Sequence, residues 1–183
     1  MHTTMKTALL VIDVQRGLCE GKYAVLDAPQ VVQRINLVSN KVREAKAIVV
    51  IIQHESKDEL FAYKSEGWQL AAGLQTESTD IFLRKTATDS FHKTELEKLL
   101  RERQVTNLVI CGMQSDFCVD TTTRRALGLG FPVVLVSDGH STFSNEHLSA
   151  AQIIAHHNTT LANIESFGPR ATLVPAERVH IEA

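Results

Sequence analysis

TNLVICGMQSDFCVDTTTRRALGLGFPVVLVSDG, Thr106 to Gly139, is the stretch on which the architecture turns. It opens with an apolar run, breaks at Gly112 into a polar turn, and passes through a segment with Val119, Thr122, Thr123 and Ala126 at helical spacing. It closes on a second apolar run from Phe131. Runs apolar on both faces are strands buried on both faces, the condition of a parallel sheet covered by helices. The stretch therefore reads as a strand, a crossover helix and a parallel strand.

The same alternation extends outward. TALLVIDVQ (7–15), AIVVIIQHE (47–55) and IFLRK (81–85) precede it, and a last short run, TLANI (160–164), follows. Helical spacing recurs between them: Val31, Val32, Ile35, Val38 and Val42; Leu96, Leu99 and Leu100; Leu148, Ile153 and Ile154. The expected fold is a three-layer α-β-α sandwich around a mostly parallel six-stranded sheet, as one domain over 1–183. The segment from Ser56 to Asp80 has no periodicity but holds the only tryptophan, Trp68. Loops of that length are usually functional.

With 183 residues, 44% hydrophobic and 22% charged, the composition is that of a globular chain. A formal charge of −2 with interspersed signs argues against a nucleic-acid partner. No run approaches the roughly 18 apolar residues of a membrane span, and Asp13 spoils the opening segment as a signal peptide. Cys19, Cys111 and Cys118 have no paired spacing, so a disulfide framework is not expected and a cytoplasmic setting is.

In such sheets ligands bind at the carboxyl ends of the strands, where the strand order reverses. The residues ending the apolar runs are Asp13 and Gln15; Gln53 and His54; Arg84 and Lys85; the turn before Cys118; and Asp138 and His140. Cys118 stands out, because a cysteine opening a helix faces free N–H groups and the positive end of the dipole, which favour thiolate. Cys111, inside a strand, reads as core, and Cys19 as an inert neighbour of the site. Asp13, between Ile12 and Val14, reads as a partly buried carboxylate suited to a general base, or as a strand-end cap. Lys85 reads equally as a solvated strand end or as an inward cation, and Arg84 should face the other way. Trp68, Phe117 and Phe91 could wall a ligand, with core packing the competing reading for each and for Phe91 above all.

These segments resemble the isochorismatase-like cysteine hydrolases, a family that includes nicotinamidases and N-carbamoylsarcosine amidase. The likeness is carried by ALLVIDVQ with Asp13, SEGWQL leading to IFLRK with Lys85, DSFHKTELEKLL, and VICGMQSDFCVDTTTRRALGLGFPVVLVSDGHSTF with Cys118. The resemblance implies a catalytic triad of Asp13, Lys85 and Cys118, a cis peptide at Met113–Gln114, and an oxyanion hole of the Gln114 and Cys118 amides. It implies hydrolysis of a C–N bond in a small amide through a thioester, with Gln15, His54, Trp68 and Phe117 contacting the substrate. A homo-oligomer is implied on the same grounds.

One departure concerns metal. Related nicotinamidases bind a metal through an aspartate and two histidines, whereas QHESKDEL offers His54 alone, so no metal and no cofactor are expected. The other histidines (His2, His92, His140, His147, His156, His157 and His180) read mainly as surface. Two other functions fit the same fold: isochorismate-type vinyl ether hydrolysis, which needs no thiolate, and a silent domain that binds small molecules or proteins.

Overall fold

The computed structural model describes residues 6–181. Its strands are β1 (Thr7–Ile12), β2 (Ile48–His54), β3 (Ile81–Lys85), β4 (Asn107–Met113), β5 (Val133–Ser141) and β6 (Ala171–Val174). They form one sheet in the order β3-β2-β1-β4-β5-β6. Every pairing is parallel, so the sheet is fully rather than mostly so. The helices are α1 (Arg16–Cys19), α2 (Ala28–Glu44), α3 (Leu96–Glu102), α4 (Asp120–Gly128) and α5 (Ala150–Ala162).

Alternation along the strands divides the core. Ala8, Leu10 and Ile12 of β1 join Val50, Ile52, Leu96, Leu100, Ala126, Leu127 and Leu161 on the face covered by α3, α4 and α5. Leu9 and Val11 point the other way, onto Val31, Ile35, Val38 and Val42 of α2. Each such side chain, fully buried, contributes about 1.5–3 kcal/mol, and this two-sided burial holds the three layers together. Among the described residues no helix is long and apolar enough to cross a membrane.

The last strand lies elsewhere than expected. Thr160, Leu161 and Ala162 complete α5, and the sixth strand is Ala171–Val174. The helix wins because Ser149 and Gln152 cap its start reciprocally, and Leu161 continues the buried stripe of Ile153 two turns on. The true strand is a four-residue segment between Gly168 and Pro175, too short and too exposed for its apolar pattern to stand out.

Strand order reverses between β1 and β4, where loops from adjacent strands diverge to opposite faces and open a crevice. Ile12 pairs with Gly112 across that junction. Gly112 has a φ of +121°, and a Cβ there would lie 2.0 Å from the Ile12 carbonyl oxygen. Only glycine fits.

Candidate active site

β1 stops at Ile12 because the next residue leaves the extended region. Asp13 has a φ of 51°, left-handed, a conformation aspartate tolerates better than most residues. Its N–H still donates to the Ile52 carbonyl oxygen, so the backbone stays anchored while the direction changes. The carboxylate is buried at 1% exposure.

Lys85, the last residue of β3, is drawn inward and buried at 2% exposure. Strand alternation puts Arg84 outside, ion-paired with Glu55 at 3.4 Å. The Lys85 ammonium donates to Asp13 Oδ2 at 2.8 Å, to the Ala87 carbonyl oxygen at 3.0 Å and to Cys118 Sγ at 3.2 Å. A buried ammonium persists only with such partners. Burial works against its charge, but Asp13 and then Cys118 outweigh that effect and hold it above the ordinary lysine range. Asp13 Oδ1 is also buried, and among the described residues it has no hydrogen-bond partner.

Cys118 follows β4 within a π-helical turn, Ser115–Val119, that runs into α4. Burial pushes its thiol up to about 12; Asp13 adds to the rise and Lys85 opposes it. Desolvation and then the neighbouring carboxylate work against the thiolate that a helix start favours, while the cation works for it. The Met113–Gln114 peptide is cis, and among the described residues the Gln114 N–H makes no hydrogen bond. Phe117, beside the sulfur in sequence, is half exposed.

Of the expected substrate contacts, Gln15 is corrected to a different task. It is fully buried, with Nε2 donating to the His54 and Trp68 carbonyl oxygens at 3.0 and 2.9 Å and Oε1 accepting from the His54 N–H at 2.8 Å. With both ends of its amide committed, Gln15 fastens the long loop to the strand ends and presents nothing to a ligand. His54 lies beside the lysine, its Nδ1 3.5 Å from Lys85 Nζ. Burial, then Lys85, lowers its pKa, which keeps the ring neutral. Trp68 packs edge-on against Tyr63, with ring centroids 5.0 Å apart. Phe91 is core, stacked near Phe131.

The family model described as the isochorismatase domain matches residues 7–165, the span that carries Asp13, Lys85 and Cys118. The chain belongs to the isochorismatase family. Among relatives, this isochorismatase-family chain is 34% identical over 176 residues to a streptothricin hydrolase of Streptomyces noursei. That match covers 92% of this chain and 64% of the relative; a second streptothricin hydrolase from the same organism is covered over 54% of its length. The chain is also 31% identical to an isochorismatase family protein of Bacillus subtilis strain 168, over 87% of each. A solved isochorismatase family protein superposes with a TM-score of 0.85 at 37% identity, covering 94% of this chain and 99% of that one.

Two groups that the sequence marks only as strand ends take definite partners in this isochorismatase-family site. Gln53 is buried and donates to the same Trp68 carbonyl oxygen as Gln15, at 3.0 Å. His140, expected at the surface, is 2% exposed and is corrected to a buried group bonded to Ser115 in the turn before Cys118. The signal was present, since His140 ends an apolar strand as Asp13 does. Its neighbour Asp138 turns away to accept from the Ala176 N–H and pair with Arg34. Cys111 and Cys19 are both buried, the latter in α1 with its thiol pushed up to about 12 by burial. His2 lies outside the described residues.

Proposed function

We propose that this isochorismatase-family hydrolase cleaves an amide-type C–N bond of a small molecule through a thioester on Cys118. The observation that carries the reading is one buried ammonium, Lys85, bonded at once to a carboxylate and to the thiol sulfur. The likeness to streptothricin hydrolases supports a small-molecule substrate.

The chemistry follows from the charges. At rest the cleft holds Asp13 as carboxylate, Lys85 as ammonium and Cys118 as thiol, a balanced set suited to a dry site. As sulfur attacks the carbonyl carbon, its proton passes to Asp13, whose Oδ1 is unclaimed. Lys85 remains beside the sulfur and steadies the negative charge it carries in transit. The carbonyl electrons move to oxygen, where the Gln114 and Cys118 amides are the candidate donors, each worth about 2.7–4 kcal/mol in comparable sites. Asp13 then gives its proton to the leaving nitrogen. Water, activated by the same carboxylate, hydrolyses the thioester and regenerates the thiol.

Phe117 and Trp68 are the candidate apolar walls, and His54, neutral beside Lys85, is the candidate polar one. The test is a panel of small amides, with isochorismate included, assayed on wild type and Cys118→Ala. A mass increment equal to the acyl group on Cys118, and loss of turnover in Cys118→Ala, is the expected result. Normal turnover by Cys118→Ala would reject thioester chemistry.

A further inference from the structure

His140 sits on the far side of the turn that leads into Cys118, and the mechanism above makes no use of it. Its Nδ1 is 2.7 Å from Ser115 Oγ and its Nε2 is 3.0 Å from Asn158 Oδ1. Ser115 and His140 are both buried, at 0% and 2% exposure. The direction of each bond follows from the ends of the chain. Asn158 Nδ2 donates to the Ser137 carbonyl oxygen at 2.9 Å, which fixes Oδ1 as the atom turned to the imidazole. Oδ1 can only accept, so Nε2 carries the hydrogen. In a neutral ring Nδ1 is then an acceptor, and Ser115 Oγ must donate to it.

We infer that His140 is a positioning residue for the oxyanion turn, holding Ser115 through a one-way chain from Ser115 Oγ–H to Nδ1 and from Nε2–H to Asn158. Ser115 directly follows Gln114 and begins the π-helical turn containing Cys118, so the two candidate oxyanion amides flank the tethered residue. The tether runs from this turn through the end of β5 to α5, joining the sheet to its covering helix at that point. A preorganised donor loses effect when its loop drifts by tenths of an ångström, which gives such a tether leverage on catalysis. The chain requires a neutral ring. Burial lowers the pKa of His140 and nearby His157 adds to this; the Asn158 bond and Asp138 oppose it.

The inference rests on the thioester reading for its catalytic effect, so the test separates the two. p-Nitrophenyl acetate acylates the sulfur through an oxyanion: the S–C bond forms, p-nitrophenolate leaves and the thiol proton goes to Asp13. Iodoacetamide alkylates the same sulfur by displacing iodide, and no oxyanion forms. Ser115→Ala and His140→Leu should slow acylation about tenfold to a hundredfold while leaving alkylation within about twofold. His140→Asn, whose Oδ1 can stand near the place of Nδ1, should recover most of the loss, and Ser115→Ala combined with His140→Leu should lose no more than either alone. Acylation of Ser115→Ala at the wild-type rate, or equal slowing of both reactions, overturns the tether. Wild type that alkylates at Cys118 but never acylates overturns the thioester reading and the catalytic role of His140 with it. Nitrogen-15 NMR of wild-type His140 is independent of any activity: an Nε2–H tautomer is expected, and an Nδ1–H tautomer overturns the inference.

Discussion

Lys85 Nζ lies 3.2 Å from Cys118 Sγ, yet the thiol is pushed up to about 12. Burial raises it most and the Asp13 carboxylate adds to the rise, so the attraction of Lys85 for a thiolate offsets only part of the effect. In the proposed mechanism the sulfur is activated by passing its proton to Asp13 during attack.

Asp13→Asn separates these effects. Removing the base should lower turnover at least about a hundredfold. It also removes a group that raises the thiol and leaves Lys85, so the Cys118 titration midpoint should fall. Ultraviolet absorbance of the thiolate measures it. A midpoint that stays put or rises in Asp13→Asn would contradict the charge assignment.

The Lys85–Asp13 pair is buried on both sides, with side chains 0% and 2% exposed. Lys85→Ala should destabilise the protein by about 3–5 kcal/mol, because a carboxylate is left without a partner in a dry cleft. Combining Lys85→Met with Asp13→Asn should recover much of the loss. Urea unfolding reads both, and a Lys85→Ala loss under about 1 kcal/mol would mean water reaches Asp13.

Alkaline conditions should weaken the fold. Burial raises the thiols of Cys19 and Cys118 from 9.0 to about 12 and raises Cys111 as well. Above about pH 9 the unfolded chain releases protons that the native state keeps, so stability falls by about 1.4 kcal/mol per pH unit for each thiol. Lys85, also raised, adds a loss of the same sign above its ordinary 10.5. Urea midpoints between about pH 8 and pH 11 test this under reducing conditions, and Cys111→Ala should remove one thiol's share of the slope. A flat profile would refute it.

Gln15→Leu strips three hydrogen bonds from the backbone of His54 and Trp68. A cost of about 3 kcal/mol is expected, together with faster hydrogen exchange in 56–80 and a KM that rises more than kcat falls. Unchanged exchange there would return Gln15 to the substrate pocket.

The parts of this molecule that were legible in sequence are those written as local contrast. Asp13 interrupts an apolar run, Lys85 ends one and Cys118 opens the helical segment after a third, and a reactive group in such a place needs a reason. The sheet was legible for the same cause, except β6, where Ala171–Val174 is brief and half exposed while Thr160–Ala162 mimics a strand at the end of α5. The task of Gln15 was not legible, because its partners lie 39 and 53 residues away. The bond between Ser115 and His140, across 25 residues, was hidden for that reason too. A sequence shows that a side chain is polar; it does not show whether backbone has already claimed it.

The contact between Gly112 and Ile12 also bears on how this scaffold could be diversified. With no space for even a methyl group between the strand that delivers the acid and the strand that delivers the sulfur, their spacing is a constant of the framework. New specificities would have to be written in the segment around Trp68, whose attachment is a few removable amide clasps, while the chemistry keeps a gauge set by bare main chain.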